Sequence, residues 1–143
     1  MDHQVSQFSP ASEAIRGAVS RYAAAWRAGD RAALAACYHD DFTLHYGGNN
    51  PLSGVHRGKA VALAVLGEVT RRTNRRLVGI DDMMIGTERG ALLVREIFGR
   101  DGDNAEVERL LVYSVRDDLL WQCWVHDTQQ AIVDRFLADA QSP

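Results

Sequence analysis

The feature that most constrains this chain is a series of four strand-like segments, Leu77–Ile85, Ala91–Phe98, Ala105–Val115 and Leu120–Asp127. Only the short turns Thr87–Gly90, Asp101–Asn104 and Arg116–Leu119 separate them. Connections this short reverse the chain, because a parallel pairing needs a crossover of about a dozen residues or more. The second half of the chain therefore predicts an antiparallel meander. Upstream the spacing is helical. Ser9-Pro10 reads as an N-cap followed by the first helical position, and Ile15, Val19, Tyr22 and Trp26 recur on one face. Gly29 suits a left-handed helix end and Asp30 a cap for the next helix, so Gly-Asp marks a helix–helix corner. The second helix is short and is expected to carry Leu34, Cys37 and Tyr38 inward. Asp40-Asp41 after it reads as cap and strand-entry chemistry. Phe42–Tyr46 is strand-like, and Gly47 to Pro51 is a loop. A third helix after Gly58 offers the stripe Val61, Val65, Leu66 and Val69. A last helix, begun by Asp127 or Thr128, offers Ile132, Val133, Phe136 and Leu137. Helices followed by a meander give an α+β fold.

Composition narrows the possibilities. At 143 residues the chain predicts one domain, with a core spanning about residues 12–138. A net charge of -3 provides no basic field for nucleic acid. No apolar run approaches the ~20 residues that span a bilayer, so no membrane is expected either. Residues 1–10 lack a basic segment followed by an apolar one, and Cys37 and Cys123 form no CxxC pair. The expectation is a cytoplasmic protein with free thiols. His3, His39, His45, His56 and His126 show no metal-ligand spacing, and no nucleotide-binding glycine motif occurs, so neither metal nor cofactor is expected.

Strand parity locates polar groups on an apolar face. Val94, Phe98, Val107, Leu111, Tyr113, Val115, Trp121, Cys123 and Val125 share one side with Glu96, Arg109 and Asp127. A symmetric hairpin over Asp101–Asn104 sets Glu96 opposite Arg109. Matching faces across the next turn pairs Val115 with Trp121 and Asp127 with Arg109. Clustering is what buried charges favour. Two readings stand: a structural ion network, or a pocket floor whose arginine fixes one carboxylate and leaves the other to move protons. On the opposite parity, Trp124 and His126 read as a homodimer surface.

The motifs RY-x3-W-x2-GD, YHDDF, PLSG-V-HRG and YSVRDDLLWQCWVHD, in this order over Ile15 to Leu137, resemble the nuclear-transport-factor-2-like superfamily. Within it the chain is similar to the SnoaL-like polyketide cyclases and the ketosteroid isomerase-related group. The resemblance implies a cone: a curved antiparallel sheet wrapped around the N-terminal helices, with a central pocket. Tyr22 falls where ketosteroid isomerases carry their helix tyrosine. Tyr46 stands where they carry the general base, and Leu111 where they carry a second aspartate, which argues against steroid isomerase activity. SnoaL-like cyclases place an acid/base residue on the last strand, where this chain has Asp127.

The resulting expectation is a cofactor-independent enzyme doing cyclisation, isomerisation, dehydration or hydrolysis on a small apolar carbonyl or hydroxyl compound. Asp127, Arg109 and Tyr22 are the expected catalytic groups. Trp26, Tyr46, Glu96, Phe98, Leu111, Tyr113, Cys123 and Val125 are the expected pocket residues. His45 points away from the pocket by parity. The alternative is a non-catalytic ligand-binding or protein-association module of the same fold.

Overall fold

The structure is a computed structural model and describes residues 9–139. Helices α1 (Pro10–Ala28) and α2 (Arg31–Ala36) meet at the predicted corner. Ser9 Oγ accepts from the Ser12 N–H, Gly29 takes φ 65°, and Asp30 accepts from the Ala33 N–H. Ser9 and Asp30 each satisfy a backbone donor that a helix start leaves unpaired, and the Gly29 N–H donates to carbonyls at the end of α1. Strands β1 (Tyr38–Tyr46) and β2 (Gly54–Arg57) come next, followed by α3 (Lys59–Thr73). The meander is β3 (Arg76–Ile85), β4 (Gly90–Arg100), β5 (Asp103–Arg116) and β6 (Leu119–Asp127), and α4 (Gln130–Leu137) closes the chain. No helix of the described residues is long and apolar enough to cross a membrane.

All strands belong to one curved, unclosed sheet in the order β2-β1-β6-β5-β4-β3. The meander pairs antiparallel throughout, whereas β1 runs parallel to β6. That pairing, like β2, has no signal in the sequence, because nothing local to Phe42–Tyr46 names its partner. The helices fill the concave side. Ile15 and Val19 of α1 are buried against β4, where a Cβ at Gly90 would come 2.7 Å from Ile15 Cγ2. Glycine at that position lets helix and strand approach. The fully buried Val19, Val69, Phe98 and Leu137 each contribute about 1.5–3 kcal/mol by leaving water.

Several expectations change. Cys37 and Tyr38 are buried and Leu34 half-buried as expected, but the helix is shorter: Cys37 is its C-cap and Tyr38 already opens β1. Of the expected α3 stripe, Val69 is buried and Val65 and Leu66 pack against the core, joined by Ala62 and Thr73, while Val61 is 52% exposed. The β4–β5 hairpin turns on Asp101-Gly102 alone, with φ of 54° and 83°, so Arg100 pairs with Asp103 and Glu96 with Val107. Arg109 faces Val94 across the ladder and reaches Glu96 diagonally. Arg109 does pair with Asp127, but a bulge after Ser114 then sets Val115 opposite Leu120 instead of Trp121. The bulge turns Leu120 into the core and leaves Trp121 half-buried under Arg116. Helix α4 begins at Gln130 with no side-chain cap, so Asp127 is free of capping duty. Outside the sheet, Trp124 stacks on His45 at 4.8 Å and carries the Arg89 guanidinium at 4.1 Å. Trp124 is thereby half-covered within the chain, and His126 is the exposed member of the expected dimer pair.

Candidate functional site

The concave face of β4, β5 and β6 carries three charges that the two-residue alternation forces inward. Arg109 lies centrally at 1% exposure. Its Nε and Nη2 donate to Asp127 Oδ1 and Oδ2 at 2.6 and 3.2 Å, a two-point fork. Nη1 donates to Glu96 Oε2 at 3.3 Å, and Nη2 also donates to the Tyr46 hydroxyl at 2.6 Å. Burial, the largest influence on Arg109, works against its charge. Tyr46, Asp127 and Glu96 together outweigh it and hold the pKa well above the ordinary arginine value. A second cation, Arg75, stands 3.6 Å from Glu96 Oε1. Glu96 thus lies between two guanidinium groups, and all four carboxylate oxygens of Glu96 and Asp127 have a cationic neighbour.

Opposite this floor are the phenols. The Tyr38 hydroxyl donates to the Tyr22 oxygen at 3.0 Å. Tyr22 also packs on Trp26, Tyr38 and Tyr113, with ring centroids 5.5 to 5.7 Å apart. Burial raises the pKa of Tyr22, and the bond from Tyr38 partly offsets the rise. Burial likewise raises Tyr38 and Tyr113 well above the usual phenol range. These groups are neutral hydroxyls near pH 7, able to donate. Because Tyr22 accepts from Tyr38, its own proton is left for another acceptor, and the accepted bond strengthens it as a donor. Cys123, beside Tyr113, is pushed by burial to about 12 and is an inert thiol.

Floor and phenols enclose a well of about 30 Å³, large enough for a water-sized group. The well continues into a cleft of about 720 Å³ between α1, α2, α3 and the sheet. Tyr22, Trp26, Tyr38, Leu66, Arg75 and Glu96 line both.

Of the residues expected from sequence, Tyr22, Trp26, Tyr46, Glu96, Arg109, Leu111, Tyr113, Cys123 and Val125 line the well. Two lie behind it. Phe98 is fully buried, edge-on to Phe136 and beneath Arg109. The Asp127 side chain is 2% exposed and sits behind the Arg109 fork. Tyr38, Phe42, Leu44, Leu66 and Arg75 also line the well and were not among the expected site residues. Tyr38 and Leu66 had an apolar-face signal that could have found them. Arg75 opens the basic pair Arg75-Arg76 after α3, and no periodicity distinguishes it from solvated arginines. His45 points away, bonded to Gln122 at 2.8 Å. Among the described residues no group of three or more His, Cys, Asp or Glu side chains is arranged to hold a metal ion.

The profile of the SnoaL-like domain family matches residues 19–123. No curated protein matches the sequence. Solved structures share the fold at low identity. A Xanthomonas campestris protein of unknown function with a cystatin-like fold is 23% identical, covering 85% of this chain and 96% of its own, with a TM-score of 0.78. Bal32a, from a soil-derived mobile gene cassette, is 20% identical over 88% and 98%, with a TM-score of 0.79. A putative SnoaL-like polyketide cyclase from Jannaschia sp. CCS1 is 14% identical over 98% and 99%, with a TM-score of 0.71.

Proposed function

The chain belongs to the SnoaL-like domain family, within the nuclear-transport-factor-2-like fold, and on that premise we propose a cofactor-independent enzyme that moves protons on a small, largely apolar carbonyl or hydroxyl compound. One observation carries the reading: Glu96, 1% exposed, sits where the narrow well meets the open cleft, opposite neutral phenols. Arginine grips the two carboxylates unequally. Asp127 receives two donors from Arg109, one at 2.6 Å, and does not line the well. Glu96 receives longer contacts of 3.3 and 3.6 Å and faces the cavity. The acid/base role expected of Asp127 therefore passes to Glu96, and Asp127 becomes the residue that positions Arg109.

The chemistry follows from the placement. The apolar body of the substrate rests in the cleft on Trp26 and Leu66, and one oxygen dips into the well. Glu96 takes a proton from the carbon beside the carbonyl. The electron pair moves onto the oxygen, where Tyr22 donates a hydrogen bond to the developing charge. Returning the proton at a different atom isomerises the substrate. Letting the carbanion attack or expel a group closes a ring or eliminates water.

The test is solvent exchange. Apolar ketones incubated with the protein in deuterated water should take up deuterium at the carbon next to the carbonyl, read by mass spectrometry. Glu96→Gln should slow that uptake by about 10²–10⁴-fold. A specific observation favours a second reading, ligand binding without catalysis: every carboxylate oxygen on the floor already has a cationic neighbour. Ketones that raise the melting temperature of both proteins equally, with no exchange in either, would establish that reading and remove the catalytic one.

A further inference from the structure

We propose that the molecule held in the cleft carries a planar oxyanion such as a carboxylate, and that Arg75, assisted by Arg31, receives it. The inference rests on the proposed reading for the chemistry performed but stands apart from it for binding. Trp26, Leu34, Leu63 and Leu77 make most of the cleft wall apolar. Arg31 and Arg75 nevertheless line it as well, and Glu96 is the acid on that wall.

Charge does not balance on this surface. Arg109 is matched by the Asp127 fork. Glu96 is shared between Arg109 and Arg75. Arg31 adds a further cation to the lining, whereas the neighbouring Asp30, which caps α2 through the Ala33 N–H, is not on the cleft wall. Three arginines therefore face two carboxylates around the cavity, leaving one positive charge in excess.

Arg75 is held but not saturated. Its Nε donates to Thr70 Oγ1 at 2.9 Å and Nη2 to the Leu66 carbonyl at 3.5 Å, while Nη1 lies 3.6 Å from Glu96. The first bond fixes the guanidinium, and the two longer contacts leave N–H capacity directed at the cleft. The side chain is 19% exposed. Covering it with an apolar body would strip water from those donors without replacing it, a cost that an oxyanion removes by accepting two parallel bonds. A neutral apolar ligand leaves the excess charge without a purpose.

Matched probes separate the two cases. Biphenyl carboxylate and biphenyl carboxamide share a shape and differ in charge. Titrated into the full chain near neutral pH and low salt, the carboxylate should bind about tenfold tighter or more. Arg75→Gln should erase that preference while still binding the carboxamide as the wild type does. Arg75→Lys should keep part of it, because charge remains without the fork. Arg31→Gln should reduce it less. If Arg75→Gln fails to fold, a wild-type preference that shrinks as salt rises and is diminished in Arg75→Lys supports the proposal. Equal affinity for both probes, a preference that survives in Arg75→Gln, or binding of neither probe overturns it. Solvent exchange reports on Glu96 chemistry and charge preference on Arg75, so either can fail while the other stands.

Discussion

Two arginine–aspartate pairs in this sheet have nearly the same geometry and opposite surroundings. On the convex side Arg95 grips Asp81 through Nε and Nη2 at 2.6 and 3.0 Å, with side chains 36% and 34% exposed. On the concave side Arg109 grips Asp127 through the same two nitrogens at 2.6 and 3.2 Å, with side chains 1% and 2% exposed. Arg95 and Glu96 are chain neighbours on β4, so a single step along one strand passes from the solvated network to the buried one. Distance alone says nothing of what each pair is worth. In water the ions are well solvated apart as well as together, so the pair gains little. In the core the ions have lost their water, and each depends on the other to recover it. A buried network of this kind is weak evidence for stability and better evidence for function, since an apolar floor would pack as well.

Removing one arginine from each pair is the strongest way to break the comparison. Arg109→Leu would leave Glu96 and Asp127 buried together without their shared cation, and should destabilise the fold by about 3–5 kcal/mol in denaturant titration. A loss no larger than that from Arg95→Leu would mean that water reaches the floor and the concave network is solvated like the convex one.

Alkaline titration gives a second, smaller effect. The chain has four tyrosines, and Tyr22, Tyr38, Tyr46 and Tyr113 are all buried around the concave floor. Burial is the largest cause raising each of their pKa values. A raised phenol pKa means that the unfolded state releases its protons first. The stability these groups contribute is therefore complete below about pH 10 and lost as pH climbs through the folded values. Tyrosinate absorbance should rise in one step together with the loss of far-ultraviolet circular dichroism. Separate early ionisation of any tyrosine would show a floor more open to water than the structure has it.

The smallest effect belongs to the convex pair. Hydrogen bonds from Arg95 hold Asp81 below the ordinary carboxylate range. A depressed pKa contributes stability above the unfolded value, and that contribution is lost as pH falls through the folded one. Arg95→Leu should shift the melting temperature slightly in dilute buffer and not at all in about 1 M salt. A salt-independent loss would point to packing of the arginine stem.

Much of this was legible in the chain. The Ser9-Pro10 start, the Gly29-Asp30 corner and the four meander strands follow from caps, spacing and turn length. The common face of Glu96, Arg109 and Asp127 follows from the strict alternation of a strand, which tolerates a wrong register of even offset. For that reason the Glu96–Arg109 contact survived a misplaced hairpin turn. The bulge at Ser114 has no such tolerance: one extra residue on β6 reverses the side chains between it and the turn, so Leu120 took the core place expected of Trp121 while Cys123, Val125 and Asp127 kept their face. Arg75 could not be distinguished from Arg71, Arg72 and Arg76 nearby, since its role depends on the sheet curving back under α3.

Local patterns alone decided that this chain makes a helical corner and a meander and collects two acids and an arginine on one apolar face. Caps, turns and alternation act within a few residues and need no partner. Which acid lines the cavity, which does not, and which distant arginine joins them was decided by the curvature of the sheet and the parallel closure of β1 on β6. Those are contacts between segments far apart in sequence, and they exist only once the whole concave surface has formed.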